Sequence, residues 1–168
     1  MNLAICPGSF DPITRGHVDI IMRASKIFDK VIVLVLTNPN KNHTFSIEDR
    51  KKLIEKVIGN AENVVVDSYS GLLADYAKDV GATAIVKGLR AMSDFEYEFQ
   101  MALTNKKLNP SLETVFLTSS AENMYLSSSM VRQVALFGGD ISMFVPDEIL
   151  GDVQNVLNNQ NTKGGQEK

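Results

Sequence analysis

The stretch Cys6-Pro-Gly-Ser-Phe-Asp-Pro-Ile-Thr-Arg-Gly-His17 decides how this chain folds. A short apolar run, Leu3 to Cys6, leads into it as a strand. Pro7, Gly8, Pro12 and Gly16 punctuate a turn, and an amphipathic helix begins at about Gly16 or His17. A strand, a glycine-containing turn and a helix start together make a common seat for a phosphate, because free backbone N–H groups and the positive end of the helix dipole face the anion. Ser9, Thr14 and His17 fall where that anion would sit. The plainer reading is that the glycines only shape a tight turn and that His17 is an ordinary first-turn residue; the stretch alone leaves both open.

Outward from this stretch, strand-like and helix-like patterns alternate. Val18, Ile21, Met22 and Phe28 share a helical face with Ser25 as its polar exception, which predicts a helix to about Asp29. Val31 to Leu36 is continuous and mostly β-branched, as in a strand buried on both faces, and Asn38-Pro39-Asn40 breaks it. Ser46 is a good N-cap, although Asp49 stands where a capping box wants glutamate or glutamine; the helix it opens runs to Ile58, with Gly59 ending it. Val64–Val66, Ala84–Val86 and Val115–Leu117 are predicted as further strands. Helices are predicted from Leu72 to Val80, from about Asp94 to Lys107, from Ser127 to Phe137 and from Pro146, at N1, onward. Phe95, Phe99, Ala102 and Leu103 are the predicted inner face of the second of these, and a polar, glycine-containing tail is expected from Asn158 to Lys168. Five strands alternating with helices predict an α/β, Rossmann-like, doubly wound parallel sheet with helices on both faces, in one domain over residues 1–157.

Bulk properties narrow the function. The 168 residues suit one domain with one sizeable core. A net charge of −3 shows no basic excess that would advertise nucleic acid. The single cysteine, Cys6, excludes an internal disulfide and reads as a buried, inert thiol. No apolar run approaches the roughly 20 residues of a membrane helix, and the start of the chain has no basic signal-peptide region. A cytoplasmic protein is expected.

In doubly wound sheets, ligands bind beyond the carboxyl ends of the strands near a topological switch point. The residues that follow the predicted strands are Ser9, Phe10, Thr14 and His17; Lys41; Gly71-Leu72-Leu73; Lys87, Gly88 and Arg90; and Ser119, Ser120 and Asn123 to Ser129. Hydroxyls, a histidine, two lysines and an arginine thus converge on one sheet edge as an anion site built from separate loops. Each has a plainer alternative. Lys41 is a solvated loop lysine, Arg90 a surface partner of Asp94 or Glu98, Ser127–Ser129 only an N-cap, and Glu98 part of an exposed acidic face. His43 has no supporting pattern and reads as a loop residue.

With these residues in place, the chain resembles the bacterial phosphopantetheine adenylyltransferases, nucleotidyltransferases with a Thr/His-x-Gly-His motif. The likeness rests on Pro7 to His17, Lys87-Gly-Leu-Arg-Ala91, Asp94-Phe-Glu-Tyr-Glu98 and Leu126-Ser-Ser-Ser129, and extends to about residue 157. It implies adenylyl transfer from ATP to 4′-phosphopantetheine, giving dephospho-coenzyme A and pyrophosphate, the penultimate step of coenzyme A synthesis. It also implies Mg²⁺ carried with ATP, a homohexamer, and coenzyme A as a feedback ligand. By position, Ser9, Lys41, Leu73 and Lys87 would bind phosphopantetheine. Ser9, Phe10, His17, Gly88, Leu89, Arg90, Glu98, Asn123, Met124, Tyr125, Leu126, Ser127, Ser128 and Ser129 would bind ATP, and His17 would stabilise the transition state. The chain departs from the family pattern with Ser9 in place of threonine, Lys87 in place of arginine, and Asn123-Met-Tyr-Leu126 in place of Trp-Ser-Phe-Ile.

The implied chemistry is in-line attack of the acceptor phosphate on the α-phosphorus of ATP, helped by positioning and charge stabilisation rather than by a protein nucleophile. Transfer to another phosphate, such as nicotinamide mononucleotide or glycerol phosphate, would use the same motif. A class I aminoacyl-tRNA synthetase shares the histidine motif, but this chain lacks Lys-Met-Ser-Lys-Ser and room for a tRNA-recognition domain. A non-catalytic nucleotide-binding module is the rival from another class.

Overall fold

The computed structural model describes residues 1–37, 42–59, 61–90 and 92–164, with backbone only at 92–94 and 160–164. The five strands are β1 (Leu3–Gly8), β2 (Lys30–Leu36), β3 (Val64–Tyr69), β4 (Ala84–Leu89) and β5 (Glu113–Thr118). Between and after them run α1 (Arg15–Ile27), α2 (Ile47–Ile58), α3 (Leu73–Val80), α4 (Met92–Leu108), α5 (Ser128–Leu136) and α6 (Asp147–Gly164). All strand pairs are parallel, in the order β3-β2-β1-β4-β5. The order reverses between β1 and β4, so the turn after β1 opens at the switch point.

Successive residues of a strand point to opposite faces, and β1 divides the core accordingly. Ala4 and Cys6 join Val31, Val33 and Val35 in one apolar layer, with Ile20, Ile21 and Ala24 of α1, Leu53 and Ile54 of α2, Val131 of α5, and Ile149 and Val153 of α6. Leu3 and Ile5 join Ile32, Leu34 and Ile85 in the other, covered by Tyr76 and Ala77 of α3. Both faces of the central strands are therefore dry, as the unbroken β-branched run of β2 predicts.

Several boundaries differ from the sequence reading. α1 starts at Arg15 and ends at Ile27, because Thr14 in extended backbone is its N-cap and Phe28 its C-cap. β3 continues to Tyr69, and β4 to Leu89, so Lys87, Gly88 and Leu89 are strand residues; parallel pairing with Phe116, Leu117 and Thr118 carries β4 past its apolar run. Ser46 caps α2, accepting from the Asp49 N–H at 3.1 Å, while Gly59 keeps a right-handed φ of −54°. Gly81, by contrast, closes α3 in the left-handed region at φ 70°, where the missing Cβ matters. Pro146 immediately precedes α6 rather than opening it. That helix continues to Gly164, across much of the expected tail, and Leu157 is the last of its described side chains in the core.

The predicted inner face of α4 is the clearest correction. Phe99 and Leu103 are exposed, by 47% and 57%, while Phe95, 37% exposed, does pack edge-on against Phe116 of β5 with ring centroids 6.1 Å apart. Among the described side chains of α4 the buried one is Asn105, while Glu98 and Ala102 are half-buried and line the cleft.

Candidate active site

A cleft of about 1010 Å³ opens at the carboxyl ends of the strands. Its wall begins with Cys6 to Phe10 from β1 and the following turn. Phe10 holds a left-handed φ of 48°, uncommon for any residue but glycine, and its ring lies under Gly8: a Cβ on Gly8 would stand 3.0 Å from it. The Asp11–Pro12 peptide bond is cis.

Thr14 and His17 form a reciprocal cap at the start of α1. The His17 N–H donates to Thr14 Oγ1 at 3.4 Å, and the Thr14 N–H donates to His17 Nδ1 at 3.1 Å. A backbone N–H aimed at Nδ1 requires a lone pair there, so the neutral ring carries its proton on Nε2. Burial, and then the charges of Arg90 and Lys87, push the His17 pKa down to about 4. Phe10 packs edge-on against the imidazole, with ring centroids 5.2 Å apart. The site therefore presents a neutral Nε2–H donor whose tautomer the helix cap dictates.

Lys87 and Arg90 come from the end of β4, beside the switch point. Lys87 Nζ is 3.1 Å from Glu98 of α4, so the acidic residue read as an exposed face pairs across the cleft instead. Arg90 Nη1 donates to the Leu126 carbonyl at 2.7 Å, tying β4 to the loop before α5. At Gly88 a Cβ would lie 2.9 Å from Ile20 Cγ1, so glycine lets β4 approach α1. Opposite, Ser127 caps α5 by accepting from the Met130 N–H at 3.1 Å. Asn123 Nδ2 donates to Ser120 Oγ at 2.8 Å. Cys6 also borders the cleft, but burial pushes its thiol up to about 12, against the pull of Lys87, as an inert thiol requires.

The structure thus brings Ser9, Phe10, His17, Leu73, Lys87, Gly88, Arg90, Glu98, Asn123 and Leu126 to Ser129 to one wall. Leu89, Met124 and Tyr125 are not among the described residues of that wall; Met124 and Tyr125 are 50% and 53% exposed. Lys41 lies outside the described residues. Among the wall residues that sequence reasoning missed, two meet at Asp11. His43, read as a plain loop residue, sits with its Nδ1 3.7 Å from Asp11, and Arg132 of α5 reaches the same carboxylate at 3.5 Å.

Fold and cleft together define a class, the cytidylyltransferase-like proteins, whose family model matches residues 5–134. A phosphopantetheine adenylyltransferase of Clostridium tetani (strain Massachusetts / E88) is 59% identical over 160 residues, 95% of this chain and 100% of that protein. Another, from Alkaliphilus oremlandii (strain OhILAs), is 60% identical over 155 residues, 92% of this chain and 99% of that protein. The chain belongs to the phosphopantetheine adenylyltransferase family. Among solved structures, a putative nicotinate-nucleotide adenylyltransferase from Vibrio parahaemolyticus superposes with a TM-score of 0.67 at 21% identity, over 96% of this chain and 94% of that one. A bifunctional NMN adenylyltransferase/ADP ribose pyrophosphatase from Francisella tularensis, complexed with AMP and MN ion, gives 0.69 at 18% identity, over 98% of this chain and 53% of that one. These two show a shared fold.

Proposed function

We propose that the chain transfers the adenylyl group of ATP to 4′-phosphopantetheine, releasing pyrophosphate and dephospho-coenzyme A in the penultimate step of coenzyme A synthesis. One observation carries the reading beyond its relatives' name: a neutral His17 and the cations Lys87 and Arg90 share a cleft with the α5 helix start at the sheet's switch point.

In this reading the acceptor phosphate attacks the α-phosphorus in line. His17 Nε2–H donates to an oxygen on that phosphorus, where negative charge grows in the transition state. Ser9 stands between the two substrates. Phosphopantetheine lies against Lys41, Leu73 and Lys87; ATP takes Phe10, Gly88, Leu89, Arg90, Glu98 and the Asn123–Ser129 segment. Phosphopantetheine draws Lys87 away from Glu98, and lysine and arginine offset the repulsion between the approaching anions. Among the described residues no three His, Cys, Asp or Glu side chains gather as a metal site. Mg²⁺ would arrive with ATP, bound through its phosphates and water, and would supply charge neutralisation for the leaving pyrophosphate.

The homohexamer implied by the family resemblance is assigned a contact surface on α4. Phe95 and Phe99 stack at 5.4 Å and, with Leu103, are exposed, although Phe95 also packs edge-on against Phe116 of β5. An apolar face of this kind on a monomer signals association, and we assign it to a homohexamer. Coenzyme A, which contains the acceptor's pantetheine arm, enters the same cleft as a feedback ligand. No helix among the described residues is long and apolar enough to cross a membrane; the site is proposed for the cytoplasm, with no nucleic-acid or membrane partner. The catalytic unit spans 1–157, with 158–168 dispensable for turnover.

Incubation with ATP, Mg²⁺ and each of phosphopantetheine, nicotinamide mononucleotide and glycerol phosphate tests the reading. Pyrophosphate is expected with phosphopantetheine alone; turnover of either other acceptor at a comparable rate reassigns the enzyme, and ATP binding without pyrophosphate makes it a binding module.

A further inference from the structure

Asp11 is a carboxylate with its side chain only 5% exposed, in the turn between β1 and α1. A charge so placed is costly unless its lone pairs are met. Here they are met from outside its own turn. Oδ1 accepts the Phe45 N–H at 2.8 Å and Oδ2 the Thr44 N–H at 3.0 Å, both in the segment leading into α2. Oδ2 also lies 3.5 Å from Arg132 Nη1 of α5 and 3.7 Å from His43 Nδ1. Arg132 Nη1 donates as well to the Asp11 carbonyl oxygen. The rest of the turn is held in the same manner: Arg50 of α2, itself 1% exposed, donates to the Ser9 carbonyl at 2.9 Å, and Ser128 Oγ of α5 donates to the Pro12 carbonyl at 2.7 Å. Burial lowers the Arg50 pKa, and the nearby Asp11 charge opposes that shift.

One carboxylate therefore joins three pieces of chain that border the cleft from different sides. Thr44 and Phe45 follow His43, a cleft-lining residue in the segment between β2 and α2, which we take as the acceptor side. Arg132 belongs to α5, whose start bounds the nucleotide side. Ser9, at the junction, lies two positions before Asp11.

We propose that Asp11 is a positioning residue that sets the acceptor side of the cleft in register with the nucleotide side. It touches neither substrate and acts through Thr44, Phe45 and Arg132. This rests on the adenylyl-transfer reading of the cleft. In-line transfer between two anions depends on sub-ångström placement, and a 1 Å error costs about 10²-fold in rate. Loss of the tie therefore appears in turnover rather than in the binding of one substrate.

Asp11→Asn tests it, because the amide keeps the shape and one acceptor but loses the charge and the second acceptor. Native protein is assayed alongside with ATP, Mg²⁺ and phosphopantetheine, and a native sample without turnover refutes the adenylyl-transfer reading rather than this one. With native turnover established, folded Asp11→Asn is expected to bind ATP with a Kd within about threefold of native while kcat falls at least about tenfold. A kcat within threefold of native overturns the proposal. So does a rise in the Kd for ATP equal to the loss in kcat, which marks general damage to the site. Arg132→Gln severs only the α5 side and decides the matter if Asp11→Asn does not fold. It is expected to lower kcat and, where both variants fold, to combine with Asp11→Asn less than additively; an unchanged kcat, or full additivity, overturns the proposal.

Discussion

At His17 the helix cap and the chemistry are the same contact. The Thr14 N–H occupies Nδ1, so the proton goes to Nε2, and burial with two nearby cations resists a second one. An imidazolium would donate more strongly, but it would also have to form beside Arg90 and Lys87. The expected result is a His17 ring that titrates in free enzyme with a midpoint near 4, followed by NMR of its Cε1–H; a midpoint at the ordinary 6.5 contradicts it. The same depression has a stability sign. Between pH 6.5 and 4 the unfolded chain takes up this proton before the folded one does. Its contribution is therefore complete above that window and is lost as pH falls through it. His17→Ala should lower kcat by about 10²-fold or more, in line with loss of one transition-state donor, while the Kd for ATP changes far less. Steady-state kinetics with near-normal kcat would remove His17 from the chemistry.

Among the elements, β4 and α1 position most of the charge. Gly88 lets the end of β4 lie against Ile20, and Lys87 and Arg90 flank it. Gly88→Ala forces a Cβ to 2.9 Å from Ile20 Cγ1, an overpacking expected to cost about 1–3 kcal/mol in chemical denaturation. A kcat loss should accompany it as Lys87 and Arg90 are displaced; an unchanged midpoint and rate would show that α1 yields freely. The strands were legible because parallel sheets bury both faces, leaving continuous β-branched runs such as Val31 to Leu36. The helix of α4 was legible but its buried side was not, for a matching reason. Its apolar residues Phe95, Tyr97, Phe99, Met101 and Leu103 recur at every second position, which spreads them around a helix instead of marking one face. Most of the cleft wall was legible because strand ends in this fold converge. Arg50, Arg132 and His43 were not, since their contacts with the Ser9–Asp11 turn cross long stretches of chain and leave no local pattern.

Over the whole molecule, the doubly wound sheet explains how a chain with a net charge of −3 assembles an anion site. The cations need only meet at the switch point, where Glu98 is the one acidic residue among the described cleft-lining residues. The exposed aromatic side of α4 belongs to this scale too. Phe99→Asp is expected to shift sedimentation from a hexamer to smaller species, because a charge in an apolar interface is left without a partner. A native protein that sediments as a monomer contradicts the assembly. Adenylyl transfer itself is tested most directly by where the phosphorus of ATP goes. With ATP labelled at the α-phosphorus, phosphopantetheine and Mg²⁺, the label should appear in dephospho-coenzyme A, while γ-label appears in pyrophosphate. Label at the α-position that stays in ATP or AMP, with none in a pantetheine product, would contradict the account.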